Sequence, residues 1–233
     1  MLVDKPLAEL EHYHPPLTRQ PDFESFWEQS LAASAAQPLN ATVEAIDYPT
    51  DRVAIYDVRY NGFSSTGEAD TRIAGWYLTP NDHLTVNGKT PTIIVYHGYS
   101  GSRGLPANHL HWAALGYNVF AVDTRGHIGD SPDNNAYPTG AAVLGCMTQG
   151  IADPATYYYR FAYLDCVRAV DFVRSRPEAG PILLTGASQG GGLTLAVAAL
   201  ASGDDIVAAM PDVPFLCHFE RALEAFSDGP YHE

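Results

Sequence analysis

Cysteine is scarce in this sequence, and the few cysteines do not form the pattern of a disulfide framework or a metal site. Only three occur, Cys146, Cys166 and Cys217, and none has a partner in a C-x-x-C spacing. An odd number of widely spaced cysteines is typical of proteins in a reducing compartment. We therefore predict three small buried thiols and no disulfide. No feature of the sequence predicts a cofactor.

Basic clusters and long apolar runs are also lacking. Thirteen Lys and Arg residues stand against 27 Asp and Glu residues, so the formal net charge is -14. Phosphate backbones and anionic membrane surfaces attract basic clusters, and we therefore expect neither nucleic acid nor a membrane as a partner. The apolar segment at residues 193–201 is shorter than the roughly 20 residues of a membrane span. The first residues also lack the basic start and apolar stretch of a signal peptide, so no export signal is predicted.

Two kinds of strand pattern occupy the rest of the sequence. Near the beginning, β-branched and aromatic runs separated by Pro, Asn and Gly are typical of antiparallel strands. They cover residues 41–49, 53–63 and 72–80. From residue 90 onward, short continuous apolar runs followed by glycine-rich turns are typical of buried parallel strands. They cover residues 90–99, 117–126, 181–188 and 205–214.

Apolar residues at helical spacing predict the connecting helices. These helices fall in residues 21–38, 105–116, 157–177, the segment after Ser188, and 219–226. The apolar stripe of the 157–177 helix leaves Asp165, Arg168 and Arg174 outside it, so we expect these three residues off the core. Residues 126–156 are rich in Gly, Pro and Asn and predict a loop excursion. The pattern predicts one α/β domain over residues 1–233, with a mostly parallel sheet and helices on both faces.

The stretch GASQG, residues 186–190, places a serine between a predicted strand and a predicted helix. G-x-S-x-G in that context indicates a nucleophile elbow. A tight strand-to-helix corner leaves no room for side chains at Gly186 and Gly190. A serine hydroxyl reaches a carbonyl carbon from such a corner, but it needs a base to take its proton. We predict that Ser188 is a nucleophile in acyl transfer.

The stretch YHGYSGSRG, residues 96–104, follows a buried strand upstream of the elbow. Acyl transfer places negative charge on oxygen, and preset backbone N–H groups stabilise that charge. In the elbow architecture one donor is the residue after the nucleophile, and the other follows an earlier strand. The backbone amides of Gln189 and Tyr99 are our candidates for this oxyanion hole. We interpret His97 as a structural residue that braces the loop, not as the base.

A third polar stretch, DTRGHIGDS at residues 123–131, also follows a predicted strand, where open α/β sheets place their ligand crevices. Arg125 has two interpretations: it fastens loops through charge-assisted hydrogen bonds, or it contacts substrate. We favour the fastening role. Gly126 and His127 are candidates for structural or pocket residues beside it.

The acid and the base that a serine hydrolase needs are not evident in this sequence. In the elbow architecture they follow the serine in the order Ser, Asp or Glu, His, on loops after two later strands. Only 45 residues follow Ser188, with one predicted strand and one predicted helix. We interpret Asp212 as a loop residue beside the elbow, and His218 and His232 as surface or helix-flanking residues. The expectation is a hydrolase domain without its last strands, whose triad Asp and His lie outside this chain.

Together these motifs resemble the acetyl xylan esterase and cephalosporin C deacetylase family of α/β-hydrolases. The resemblance runs through PDFESFWEQSL, YHGYSGSRG, DTRGH, YYYRFAYLDCVRAVDFVRSRP, TGASQGGGLTLAVAAL and PDVPFLCHFERALE. It implies that Ser188 is acylated, that the amides of Tyr99 and Gln189 form the oxyanion hole, and that no metal is needed. It further implies deacetylation of acetylated xylo-oligosaccharides or similar small alcohols, a cytoplasmic location and a homohexamer.

Two departures from the family pattern leave alternatives open. The family has Arg-Gly-Gln where this chain has Arg125, Gly126 and His127, and the family's acid and histidine lie beyond residue 233. A second hypothesis is therefore a non-catalytic hydrolase lobe that acts only as a binding or assembly partner, with an exposed apolar sheet edge. A third is a peptidase or a longer-chain lipase that uses the same serine.

Overall fold

A computed structural model describes residues 5–67, 71–137, 145–201, 203–225 and 230 of the 233-residue chain. Seven strands form one mixed sheet in the order β1-β2-β3-β5-β4-β6-β7. The strands are β1 (Thr42–Ala45), β2 (Val53–Asn61), β3 (Arg72–Pro80), β4 (Thr90–Tyr96), β5 (Asn118–Val122), β6 (Ala179–Ala187) and β7 (Ile206–Asp212). The first three pair antiparallel and the last four pair parallel, so both predicted strand patterns are confirmed.

Helices cover both faces of this sheet. The helices of the described residues are α1 (Leu7–Leu10), α2 (Phe23–Ala35), α3 (Leu110–Ala114) after a 3₁₀ turn at Pro106–His109, α4 (Tyr158–Arg174), α5 (Gln189–Leu200) and α6 (Phe219–Ala225). Successive strand residues point to opposite faces. Leu78 packs with Ala113 of α3, whereas its neighbour Tyr77 packs on the other face with Phe172 of α4. The predicted two-faced arrangement is confirmed, and only the one-turn helix α1 lacked a sequence signal.

The long helix α4 differs from its predicted pattern. Asp165 and Arg168 are both 2% exposed, so the expectation that they lie off the core is wrong. The reason is that α4 is enclosed on two sides, by the sheet and by the segment that links α2 to β1. Arg168 donates to the carbonyl oxygens of Ser34 at 2.8 Å and Pro38 at 3.0 Å, and thereby fastens that segment.

The described part of the excursion, residues 126–137 and 145–156, contains turns and bends and no helix or strand. Cys146 and Cys166 are buried as predicted, but Cys217 is exposed because it lies in the irregular segment between β7 and α6. All three thiols are free. Across the described ranges, no helix has the length and apolar character to cross a bilayer.

Strand β4 marks the point where the order of the parallel strands reverses. The chain passes from β4 to β5 on one side and later returns to place β6 on the other side. In open α/β sheets the crevice outside the carboxyl ends of two such strands is the usual ligand site. At the far edge of the described sheet, Val207 and Met210 of β7 are exposed.

Candidate active site

Ser188 occupies the turn between β6 and α5, and its backbone is strained. Its φ of 56° and ψ of -119° lie in a region that side-chain-bearing residues rarely adopt. Three backbone hydrogen bonds hold it there. Its N–H donates to Asp212 O at 3.0 Å, and its carbonyl oxygen accepts from Gly192 N at 3.1 Å and Phe215 N at 2.9 Å. Ser188 is half-buried at the carboxyl end of β6, as a nucleophile elbow requires.

The two glycines that flank the elbow have no space for a side chain. A Cβ at Gly186 would lie 2.5 Å from Gly190 O and 2.6 Å from Tyr96 O. A Cβ at Gly190 would meet the same Tyr96 carbonyl. Because these obstacles are backbone atoms, they cannot move aside without shifting a strand. The predicted need for glycine at both positions is confirmed.

The loop after β4 lies against the elbow. A Cβ built on Gly98 would be 3.8 Å from Ser188 Cβ, so the chain of residues 97–99 passes directly beside the nucleophile. Tyr99 follows in the same turn, and its hydroxyl accepts a hydrogen bond from Cys146 N at 2.8 Å. Gln189 is the first residue of α5, where amides have no acceptor within the helix. The two amides predicted for an oxyanion hole therefore belong to segments that meet at Ser188.

The side chain of Gln189 is fully buried and links the elbow to the excursion. Its Oε1 accepts from the Tyr159 hydroxyl at 2.8 Å. Its Nε2 lies 2.9 Å from His127 Nε2. His127 Nε2 also lies 3.1 Å from Oε1, and a carbonyl oxygen can accept two hydrogen bonds, so His127 Nε2 accepts from the amide nitrogen in one tautomer and donates to the amide oxygen in the other. The sequence analysis did not identify Tyr159 as a site residue, because it lies 30 residues away from Gln189 in the chain.

His127 lies in the site, as the crevice position of its motif predicts. Its ring packs against Tyr99 at 5.1 Å and stacks on Tyr158 at 6.2 Å between centroids. Its Nδ1 faces the Tyr158 hydroxyl at 3.5 Å and Cys146 Sγ at 3.6 Å. The imidazole therefore faces Gln189 through Nε2, and it faces Cys146 of the excursion through Nδ1.

His97 has the bracing role predicted for it. Its Nε2 accepts from Thr124 N at 2.9 Å, and its Nδ1 donates to Gly98 O at 2.8 Å. Burial lowers the pKa of His97 below its usual value, which favours this neutral form. The ring ties the ends of β4 and β5 together and positions Gly98 beside Ser188.

Arg125 fastens loops, as favoured from the sequence. It is completely buried and pairs with Asp165 through Nε at 2.6 Å and Nη2 at 2.7 Å. Nη2 also donates to Phe63 O at 2.8 Å. Burial by itself lowers the pKa of Arg125, but the Asp165 carboxylate outweighs it, and the net pKa is raised. Gly126 follows with a φ of 70°, a turn conformation that suits glycine, and donates to Ser131 O at 2.9 Å.

A second buried arginine, Arg103, was missed by the sequence analysis although it lies in the predicted oxyanion loop. Its guanidinium donates to Asp57 at 2.8 Å and Asp130 at 2.6 Å, and stacks on Trp76 at 3.7 Å from the ring centroid. Its backbone N–H bonds to the Asp123 carboxylate. The clustering of Arg with three distant carboxylates has no local sequence signal, because it depends on how β2, β5 and the loops meet.

Within the residues that the structure describes, no side chain hydrogen-bonds to Ser188 Oγ. Asp212 contributes its backbone carbonyl to the elbow. His218 flanks α6 as interpreted, with its ring 5.9 Å from that of Tyr13. His232 lies outside the described residues. Among those residues, no group of three or more His, Cys, Asp or Glu side chains has the arrangement of a metal site.

Comparisons with known proteins agree with this geometry. The family model "Acetyl xylan esterase (AXE1)" matches residues 1–233. Acetyl xylan esterase from Paenibacillus sp. R4 is 46% identical with a TM-score of 0.89, over 98% of this chain and 71% of that one. Acetyl Xylan Esterase 1 from a Thermoanaerobacterium species is 27% identical with a TM-score of 0.87, over 98% of this chain and 70% of that one.

A curated relative, acetyl esterase Axe7A of Xylanibacter ruminicola, is 27% identical over 196 residues, which is 79% of this chain. The chain spans 42% of the length of that relative. The strand order, the elbow and the structural likeness show the predicted α/β-hydrolase fold. Ser188 is strained and lies where the strand order of the sheet reverses, and the family model matches the whole chain. The chain therefore belongs to the acetyl xylan esterase family.

Proposed function

We propose that this protein is a serine carboxylic-ester hydrolase that removes acetyl groups from acetylated xylo-oligosaccharides or similar small esters. The observation that carries the proposal is Ser188, held at φ 56° on a strand-to-helix corner beside the loop of Gly98 and Tyr99. A nucleophile in that position meets an acyl carbon in the crevice while backbone amides face the same space. Membership in the acetyl xylan esterase family supports acetyl as the acyl group.

The proposed reaction has two steps. Ser188 Oγ attacks the acetyl carbonyl and loses its proton to a base, and the alcohol leaves with a proton, which gives an acetyl-serine. Water then attacks the acetyl-serine and releases acetate and the free hydroxyl. In each step the backbone amides of Tyr99 and Gln189 stabilise the oxyanion, and each donor contributes on the order of 3 kcal/mol.

The proposal also concerns the source of the general base. The two imidazoles nearest the elbow have other roles: His97 bonds to Thr124 and Gly98, and His127 bonds to Gln189. We propose that the acid and the histidine come from residues outside these 233, in a continuation or a partner fragment. The family match does not favour the alternative of a non-catalytic lobe over this enzymatic function.

Active-site labelling tests the proposal. A form of the protein completed by the acid and the histidine, as a continuation or an added fragment, is incubated with a phosphonate ester, and the modified peptide is located by mass spectrometry. We expect one phosphonyl group per chain, on Ser188. The 233-residue chain and the Paenibacillus relative are then compared on a chromogenic acetyl ester at equal concentration. Slower turnover by the chain is expected if its base lies elsewhere, and equal turnover would contradict that part of the proposal.

The contact between His127 and Gln189 gives a second prediction. Tyr159→Phe and His127→Ala each remove one hydrogen bond from the Gln189 side chain, and we expect each to slow phosphonylation of Ser188 about fivefold, because one hydrogen bond contributes about 1 kcal/mol. His127→Gln restores the residue of the family pattern and is expected to retain the rate. The rate constant for labelling and the split between kcat and KM are measured.

Tyr157→Phe is the matched control for these variants. Its hydroxyl donates to Met147 O at 3.0 Å and its removal leaves Gln189 untouched. The labelling rate of this variant should equal that of the unmodified chain. If Tyr157→Phe slows labelling as much as Tyr159→Phe does, the effect belongs to general packing and the role assigned to Gln189 is wrong.

The remaining parts of the proposal concern substrate range and setting. Deacetylation of cephalosporin C-like esters is proposed because of the family resemblance, and a homohexamer in the cytoplasm is proposed on the same basis. Three free thiols support a reducing compartment. Size-exclusion chromatography with light scattering measures the assembly.

A further inference from the structure

Tyr99 lies in a tight turn of the chain after β4. The N–H of Gly101 donates to the carbonyl oxygen of Gly98 at 3.0 Å, which closes a four-residue turn around Tyr99 and Ser100. The direction of a backbone amide within a turn follows from the path of the chain on both sides. Contacts that fix the two ends of this turn therefore fix the position of the Tyr99 N–H.

Two consecutive residues after β5 fix the two ends of the turn. Before the turn, His97 Nε2 accepts from Thr124 N at 2.9 Å. After the turn, the backbone N–H of Arg103 donates to Asp123 Oδ1. Both contacts are possible because β4 and β5 are parallel neighbours and end side by side. The Thr124 contact uses only backbone on the β5 side, whereas the Arg103 contact requires the carboxylate of Asp123.

The second oxygen of the same carboxylate holds another loop. Asp123 Oδ2 accepts from the backbone N–H of Asp130 at 2.8 Å and so closes the loop of residues 123–130. This loop carries His127, which contacts the side chain of Gln189. A Cβ built on Gly129 would overlap the Asp123 carboxylate, so the loop passes directly over it. One side chain therefore joins the loop of one proposed oxyanion donor to the loop that supports the other.

The carboxylate of Asp123 is buried and paired with a guanidinium. Asp123 is 1% exposed, and Arg103 Nε lies 3.4 Å from its Oδ2. Hydrogen bonds to an ionised carboxylate are shorter and about twice as strong as those between neutral groups. A buried carboxylate that accepts from the backbone of two loops therefore holds the loops at a fixed separation.

We propose that Asp123 is a positioning residue of the oxyanion hole. Its two oxygens set the separation between the loop that carries the Tyr99 amide and the loop that supports Gln189. Asp123 acts through the backbone of these loops and not by contact with the substrate. The inference rests on the proposed esterase function, because the Tyr99 and Gln189 amides are the oxyanion donors of that function.

Asp123→Asn tests the inference in a form of the protein completed by the acid and the histidine. Asparagine has the same shape but a single acceptor oxygen, so its NH₂ group faces one of the two N–H donors. We expect kcat on a chromogenic acetyl ester and the rate of Ser188 phosphonylation to fall about 10- to 100-fold. KM should stay within about twofold, because an oxyanion donor acts in the transition state.

Rates are expressed per folded molecule, with the folded fraction measured by circular dichroism. A merely structural role would lower the folded fraction and leave kcat per folded molecule unchanged. That result would overturn the inference.

Asp57→Asn is the matched control. Asp57 accepts from Arg103 Nη1 at 2.8 Å, and its other contact within the described residues is to the Arg59 guanidinium at 3.1 Å. The substitution removes a charge from the same guanidinium but leaves both loop backbones bonded to Asp123. We expect kcat within about twofold of the unmodified protein. An equal loss of kcat in both variants would assign the effect to the charge network and overturn the inference.

The outcomes separate this inference from the proposed function. If the unmodified, completed protein is not labelled at Ser188, the proposed function is wrong and the inference falls with it. If it is labelled and Asp123→Asn is labelled at the same rate, only the inference is wrong.

If Asp123→Asn does not fold, a crystal structure of the phosphonylated, unmodified protein decides. A phosphonyl oxygen on the Tyr99 N–H, with Asp123 still bonded to the N–H groups of Arg103 and Asp130, supports the inference. Loss of either Asp123 contact in that state, or a phosphonyl oxygen away from the Tyr99 N–H, would overturn it.

Discussion

Replacement of Ser188 by alanine, in a form of the protein completed by the acid and the histidine, is expected to lower acetyl-ester hydrolysis by at least about 10⁴-fold and to abolish phosphonate labelling, because the attacking oxygen is removed. The fold should be unchanged. The three hydrogen bonds that hold the elbow use the backbone N–H and carbonyl of residue 188, and alanine retains both. Turnover of a chromogenic acetyl ester and the mass of the labelled chain measure the effect, while circular dichroism checks the fold.

Ser100→Ala provides the matched control. Ser100 has the same φ of 56°, is exposed, and lies in the loop after β4. Loss of its hydroxyl should leave turnover and labelling within about twofold of the unmodified chain, as for surface substitutions in general. Labelling that persists in Ser188→Ala at the original rate would show that another residue is the nucleophile, and the proposed function would then be wrong.

Substitution of Asp165 by leucine is expected to destabilise the protein by about 3–5 kcal/mol, because it leaves the buried guanidinium of Arg125 without its carboxylate. The Phe63 N–H, which donates to Asp165 Oδ1 at 2.8 Å, loses its acceptor as well. Urea unfolding monitored by fluorescence measures the free energy of unfolding. The double variant Arg125→Leu, Asp165→Leu should recover part of the loss, since no uncompensated charge then remains in the core.

The pair of Arg174 and Asp205 is the control for this prediction. It has nearly the same two-contact geometry, with distances of 2.8 Å and 2.7 Å, but its side chains are 29% and 39% exposed. Asp205→Leu should therefore cost no more than about 1 kcal/mol. Equal losses in the two variants would show that burial does not determine the strength of the Arg125 contact.

The elements that the sequence predicted correctly are those with local signals. Continuous apolar runs identify the parallel strands, and G-x-S-x-G at a strand end identifies the elbow. The environment of α4 lacked such a signal. Periodicity identifies one buried stripe, but Asp165 and Arg168 are buried by partners more than 100 residues away, at Phe63, Asn61 and Ser34. A helix enclosed on two sides cannot be distinguished by spacing from one enclosed on one side.

For the candidate site as well, the positions of the residues with local sequence signals were predicted correctly and their contacts were not. Ser188, Gln189, Tyr99 and His127 are all found in one place, since each follows a strand whose carboxyl end reaches the crevice. The hydrogen bonds among them were not predictable. The contact of His127 with Gln189 joins residues 62 apart and requires the excursion to fold back over the elbow. Tyr159 of α4 also hydrogen-bonds to Gln189. From the sequence alone, an aromatic residue in that helix indicates only a core position.

The elbow is restrained by peptide groups of residues 212 and 215, not by their side chains. Substitutions in the linker after β7 should consequently leave the reactive turn in place as long as the main chain keeps its course. Cutting that linker is different. Limited proteolysis between Asp212 and Phe215 would free the turn to relax toward an ordinary conformation, and the serine would lose its reactivity while its own sequence neighbourhood stayed intact.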